Sequence, residues 1–222
     1  MKLLTLSCLI LVSTINQAYA ATVNYTQDRR YTRSSGSDGM GTGYNNITNP
    51  SAPYADMAVP GQNSKLGPNG FTAGGYGSAY SQYSNSLFES IFDITFSVAG
   101  STRITLSGLL QGEDQLYGSG DASVFLYQGD NMLPANQLYG NSVQASYGFQ
   151  SADIAYSSIL NAGEYRLVAA ASPFYQQASS GFSLDASLSP VPEPSAAWLF
   201  GSGFLTLIGA GAMRRRADRA RG

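Results

Sequence analysis

Residues 92–98 alternate apolar and polar without a break: Phe92, Ile94, Phe96 and Val98 are separated by Asp93, Thr95 and Ser97. After Ala99-Gly100-Ser101 the pattern resumes, with Thr102, Ile104, Leu106 and Gly108 separated by Arg103, Thr105 and Ser107. Successive side chains of a strand point to opposite faces, so a period of two sorts one face to the core and the other to water. A helix cannot use that period. Two such runs around a short turn predict a hairpin with one buried face. A slip of one residue would turn every apolar side chain outward, so the register is strongly specified.

The same signal recurs towards the C-terminus. Residues 123–128 (Ser-Val-Phe-Leu-Tyr-Gln) form a more continuously apolar strand, expected in the middle of a sheet. Residues 143–149 and 154–159 are further candidates, and Gly129-Asp130-Asn131 and Asn161-Ala162-Gly163 are turn signals. Tyr165, Leu167, Ala169 and Ala171 alternate next, and Phe182, Leu184, Ala186 and Leu188 make the last strand. Residues 111–121 are polar and contain Gly, and read as a loop. Short strands, Gly/Asn/Asp turns and the lack of a soluble-helix pattern predict an all-β fold, an antiparallel β-sandwich of jelly-roll type over residues 87–190. Residues 21–86 are rich in Gly, Ser, Asn and Tyr, and are expected to be partly irregular, with strands at 22–25 and 76–84. Residues 160–167 (Leu-Asn-Ala-Gly-Glu-Tyr-Arg-Leu) resemble the Gly-turn-Tyr corner found before a late strand in secreted sandwich modules.

Missing residue types limit the chemistry. The chain has no histidine, and its one cysteine is Cys8. Ser-His-Asp and Cys-His catalysis and the usual zinc sites are thereby excluded. Gly39, Gly41 and Gly43 are followed by Tyr-Asn-Asn and no Lys, so there is no phosphate-binding loop. Residues 21–191 carry six basic and twelve acidic side chains, a net −6 with no basic stripe, so nucleic acid is not an expected partner.

Carboxylates are what remains. Glu113, Asp114, Asp121, Asp130 and Asp153 fall in or near expected loops. Glu113, Asp114 and Asp121 are the candidates for a Ca²⁺ site, because oxygen ligands suit that ion, although no Asp-x-Asp-x-Asp-Gly loop is present. A pair of them could also act as acid and base on a glycan. No catalytic residue is assigned and no cofactor is expected. Tyr44, Tyr54, Tyr76, Tyr80 and Tyr83 lie in the Gly/Ser-rich stretch, where exposed rings could stack on sugars; tyrosine is equally an ordinary strand residue.

Both ends carry targeting signals. Met1-Lys2, the apolar residues 3–12 and the small-x-small site Ala18-Tyr19-Ala20 make a secretory signal peptide over 1–20, with the mature chain starting at Ala21. A mature chain without cysteine must fold without disulfides. At the other end Pro192-Glu193-Pro194 precedes an uncharged apolar stretch, 196–213, then Arg214, Arg215 and Arg216. The stretch matches the length of one transmembrane helix, and the arginines place its end inside the cell. Neither proline has an N–H, and each biases its predecessor away from helix, so the motif should stay extended. The order Val-Pro-Glu-Pro, apolar span and arginine cluster over 191–222 resembles the sorting tail of PEP-CTERM proteins. That resemblance implies an exosortase as transient partner, processing near Pro192–Pro194, and delivery to the surface or matrix of a Gram-negative bacterium. It also implies an association with exopolysaccharide and biofilm. The expected function is that of an exported, non-enzymatic surface or matrix protein. A carbohydrate-binding module is the alternative, and a carboxylate-based glycan hydrolase a more distant one.

Overall fold

The computed structural model describes residues 23–37, 42–48, 56–80, 86–115, 118–174 and 177–191. The chain divides into two compact units, 1–190 and 191–222, and of the second only Val191 is among the described residues. Ala18, Ala20 and Ala21 of the expected signal-peptide cleavage site therefore lie outside the described residues. So do Pro192, Glu193, Pro194, Arg214, Arg215 and Arg216 of the expected sorting signal, together with the expected transmembrane helix.

The described residues are all-β, with one short 3-10 turn at Pro134–Asn136. The strands are β1 (Asn24–Asp28), β2 (Tyr31–Ser37), β3 (Thr42–Thr48), β4 (Met57–Val59), β5 (Gln62–Gly67), β6 (Gly70–Tyr80) and β7 (Ser86–Val98). They continue as β8 (Thr102–Asp114), β9 (Gly120–Gln128), β10 (Gln137–Ala145), β11 (Gly148–Leu160), β12 (Gly163–Ala171) and β13 (Ala178–Pro190). The ladder order is β10-β9-β12-β7-β6-β13-β8-β11, antiparallel throughout. Only three residue pairs at the strand ends, Ser78 with Phe88 to Tyr80 with Ser86, join β7 to β6. There the sheet folds over on itself into two layers of four long strands. Counted from β6 as the first, one layer runs first, eighth, third, sixth, and the other second, seventh, fourth, fifth. That interleaving is the wrapping of a jelly roll. β5 and β4 extend the first layer beyond β6, and β1 and β2 extend the second beyond β7, with β3 beside β2.

The strands at 92–98 and 102–108 are present as expected, but they do not form a hairpin. β7 pairs with β1, β2, β6 and β12, and β8 with β11 and β13, so the turn at 99–101 carries the chain from one layer to the other. The physical reason lies in the alternation itself. It fixes which face is buried, and a corner between two facing layers satisfies it as well as a hairpin does. Phe92, Ile94, Phe96 and Val98 face Ile104, Leu106 and Leu110 in one core, joined by Val124, Leu126, Leu167, Leu184 and Leu188. Burying each of the larger side chains contributes roughly 1.5–3 kcal/mol. Phe71, Phe92, Phe96 and Tyr165 form an aromatic chain through this core, with ring centroids 5.5–6.0 Å apart. The Tyr165 hydroxyl donates to the Asn161 carbonyl at 2.8 Å, the corner contact that residues 160–167 suggest.

The described residues between 24 and 80 are far more regular than their composition implies. The described strands before Leu87 belong to the same sheet as those after it, and β6 is the first strand of the jelly roll. Glycines in β6 reflect packing: a Cβ on Gly75 would lie 2.1 Å from the Phe182 ring, and one on Gly77 2.5 Å from Pro173. On the open flank Arg30 is fully buried. It is paired with Asp28 at 2.6 Å and donates to Ser64 Oγ at 2.8 Å, while Gln62 Nε2 donates to Ser90 Oγ at 3.1 Å. These bonds tie β1 and β7 to β5 across the layers, and a buried pair of this kind is held only if its hydrogen bonds are met.

Candidate functional site

One end of the sandwich gathers residues 115, 118–119, 146–147, 172–174 and 177, where β8, β10 and β12 finish. Asp114, the last residue of β8 and 1% exposed, braces them. Its Oδ1 accepts the Gly118 N–H and its Oδ2 the Tyr147 N–H, both at 3.0 Å. Ser119 and Phe174 exchange both backbone hydrogen bonds at 2.7 Å, and the Gln115 N–H reaches the Gln177 carbonyl at 3.4 Å. The layers touch beneath this rim: a Cβ on Gly112 would lie 2.0 Å from Gly120 O, and one on Gly120 2.4 Å from Ser179 O. There, backbone lies against backbone.

Tyr147 (φ 66°) and Gln177 (φ 55°) are the two non-glycine residues with positive φ among the described residues, and both belong to this rim. The left-handed region costs a non-glycine residue roughly 1–2 kcal/mol, and it persists only where surrounding bonds over-determine it. The bond from the Tyr147 N–H to Asp114 does so here. Tyr147 is 71% exposed, Phe174, bridged to Ser119, is 63% exposed, and the amide-bearing residues Gln115 and Gln177 at the same rim are exposed too. Aromatic faces near amide donors and acceptors can stack on the C–H face of a sugar ring and bond its hydroxyls.

A second polar cluster covers the outer face of the layer formed by β12, β7 and β1. Arg166 Nε and Nη2 donate to the two oxygens of Asp93 at 2.9 and 2.6 Å, and Nη1 donates to the Asp130 carbonyl at 2.9 Å. Arg29 Nη2 donates to both oxygens of Asp130 at 2.8 and 2.9 Å, and Thr95 Oγ1 donates to Oδ1 at 3.2 Å. The Arg29 hydrogen bond holds the Asp130 carboxyl below the usual carboxylate range, and the hydrogen bond to Asp93 pushes the Arg166 guanidinium higher still. Nearby, burial and the Glu89 carboxylate raise the Tyr31 hydroxyl. This cluster is a clamp. Its charges satisfy one another, and it pins the turn after β9 to three strands.

The Ca²⁺ candidates do not converge. Glu113 pairs with Phe149 and Ser179 on the outer face of the first layer, Asp114 is committed to two loop N–H groups, and Asp121 is bonded by Ser119 on the second layer. No group of three metal-type side chains exists among the described residues. The expected loop 111–121 is mostly strand, which is why alternation sends Glu113 and Asp114 to opposite sides. Of the tyrosines singled out by sequence, Tyr76 is exposed on the outer face of β6, and the side chains of Tyr44, Tyr54, Tyr80 and Tyr83 lie outside the description. Sequence reasoning missed Tyr147 and Phe174. Their one local signal is an aromatic residue directly before Gly148 and directly after Pro173.

No family model and no curated protein matches the chain. Among solved structures it is similar to TmCBM61 in complex with β-1,4-galactotriose, at 12% identity over 72% of this chain and 88% of that one, with a TM-score of 0.25. It is similar to a carbohydrate-binding module (CBM6cm-2) from Cellvibrio mixtus lichenase 5A in complex with cellotriose, at 9% identity over 78% and 98%, with a TM-score of 0.21. It is also similar to a structure of infectious bursal disease virus Gt strain, at 9% identity over 76% and 55%, with a TM-score of 0.25. At TM-scores this low the likeness assigns neither fold nor function to this chain.

Proposed function

We propose that this chain is an exported, non-catalytic jelly-roll protein that holds polysaccharide at its aromatic rim. On this reading the PEP-CTERM-like tail, with Pro192, Glu193, Pro194 and Arg214–Arg216, hands it through an exosortase to the cell surface or matrix. The observation that carries the binding role is the rim itself. Two aromatic side chains stand more than 60% exposed: Tyr147 on a left-handed backbone held by the buried Asp114 carboxylate, and Phe174 on a segment bridged to Ser119 by two backbone hydrogen bonds. Exposed apolar rings on a braced loop cluster are the surface that ring-stacking recognition needs. The carboxylates support the non-catalytic part: Asp93 and Asp130 are bonded to arginines, and Asp114 to backbone N–H groups.

Affinity electrophoresis of the full-length chain in gels containing neutral and acidic polysaccharides tests the binding. Retardation should fall about tenfold or more in Tyr147→Ala/Phe174→Ala, while melting is unchanged. A chain that no polysaccharide retards, or a variant retarded like the parent, refutes it. Intact mass after export tests the route. A product starting at Ala21 and ending near Pro192–Pro194 is expected, and a mature product that still contains Arg221 refutes processing.

A further inference from the structure

Strand β11 is the edge of the first layer, and among the described residues its only ladder partner is β8. It is thirteen residues long, with one charge, Asp153, and no proline. Natural edge strands are usually shortened, charged or bulged to prevent further pairing. β11 has little of that protection.

The open edge can be assigned residue by residue. Asn141 Nδ2 donates to the Asp153 carbonyl at 3.0 Å from the neighbouring β10, so that carbonyl points away from β8. The Gln115 N–H points to β13, which by alternation turns the even-numbered residues of β8 towards β11, where they pair with even-numbered partners. Both observations leave Phe149, Ser151, Asp153, Ala155, Ser157 and Ile159 with their N–H and C=O groups on the open edge. The side chains of these residues lie on the outer face. Phe149 and Ile159, one near each end, are 60% and 51% exposed.

We infer that β11 pairs antiparallel with β11 of a second copy of this chain about a two-fold axis at Ile154. In the register that aligns the whole strand with itself, Phe149 lies opposite Ile159 of the other copy at both ends, and Ser151 lies opposite Ser157. Asp153 lies opposite Ala155. The register shifted by two that centres on Asp153 is excluded by two carboxylates meeting face to face. Charge agrees as well. Glu113 flanks Phe149 and Arg103 flanks Ile159 on β8, so each apolar contact across the axis sits between a carboxylate and a guanidinium. The Asp153 carbonyl has two lone pairs and can keep Asn141 while accepting the new N–H. The pairing makes one continuous layer through both copies, about 43 Å along each β11. Because β11 starts at the aromatic rim, the antiparallel axis sends the two rims to opposite ends.

Sedimentation velocity of the full-length chain in detergent tests this, because association through the tail would be common to all variants. The parent should dimerise. Phe149→Lys/Ile159→Lys sets an ammonium opposite an ammonium at both ends and should raise the dissociation constant about tenfold or more. Phe149→Glu/Ile159→Lys sets carboxylate opposite ammonium and should restore a dimer that high salt dissolves. Ala155→Pro removes an N–H from the open edge without taking one from the β8 ladder, and should also yield monomer. A monomeric parent overturns the inference. So does an opposite-charge variant that dimerises no better than the like-charge one, or an Ala155→Pro chain that remains dimeric.

Discussion

Cutting the Asp93–Arg166 pair should expose how much the clamp contributes to stability. The side chains are 9% and 14% exposed and share two hydrogen bonds of 2.9 and 2.6 Å. Arg166→Met leaves the Asp93 carboxylate nearly buried. Removing one partner of a buried pair costs about 3–5 kcal/mol. Arg29 Nη1 still stands 3.8 Å from Asp93 Oδ1, which places the expected loss near the lower figure, about 3 kcal/mol. Asp93→Leu should cost less, about 2 kcal/mol, because Arg166 keeps its bond to the Asp130 carbonyl and its 3.7 Å approach to the Asp130 carboxylate. The double replacement removes both charges from the site and should cost less than Arg166→Met alone. The coupling energy should therefore be at least about 2 kcal/mol. Urea unfolding of the four proteins measures it, and Arg166→Met should melt about 6–12 °C lower. Single effects that add to within about 0.5 kcal/mol would refute the clamp as a coupled unit.

Three further outcomes follow from the geometry. The Asp130 pKa is depressed in the folded state, so its contribution is present above the unfolded value of about 3.9 and is lost as pH falls through the folded value. Urea midpoints between about pH 2 and pH 6 should then fall less steeply on the acid side in Asp130→Asn, and identical slopes would contradict the assignment. Gly108→Ala should destabilise by at least about 2 kcal/mol: φ is +150° and a Cβ would sit 2.0 Å from the Ser183 carbonyl oxygen in the β8–β13 ladder. An unchanged melting temperature would mean that this ladder yields. Tyr165→Phe should lose about 1 kcal/mol with the bond to Asn161 while keeping the ring contact to Phe96, and calorimetry checks it as a small drop in melting temperature.

Strand position and facing were readable wherever the alternation was strict, as at 92–98 and 102–108. Partner choice was not, because period two reports a face and says nothing of the neighbour. That is why β7 and β8 looked like a hairpin although they lie in different layers. β6 was half hidden because a strand was expected only from Tyr76 onward, and the residues before it, Gly74 and Gly75 among them, read as irregular, whereas the Phe182 ring requires the absence of a side chain at Gly75. The run 111–121 looked like a loop because its polar residues sit on strand ends. The rim depends on three connections separated by up to about sixty residues, and only the fold brings Asp114, Tyr147 and Phe174 together. The expected targeting signals, by contrast, are patterns local in sequence, and their residues lie outside the described ones.

β13 lies between β6 and β8 over nearly its whole length, starts at the rim with Ala178 and ends at Pro190 on the opposite pole. On the proposed reading, a tension drawn between polysaccharide on the rim and Val191 runs parallel to that strand. Ladder hydrogen bonds lie perpendicular to the strands, so they meet such a load in shear and must break together rather than unzip one after another. The chain leaves the jelly roll in the direction in which two flanking ladders resist extraction best.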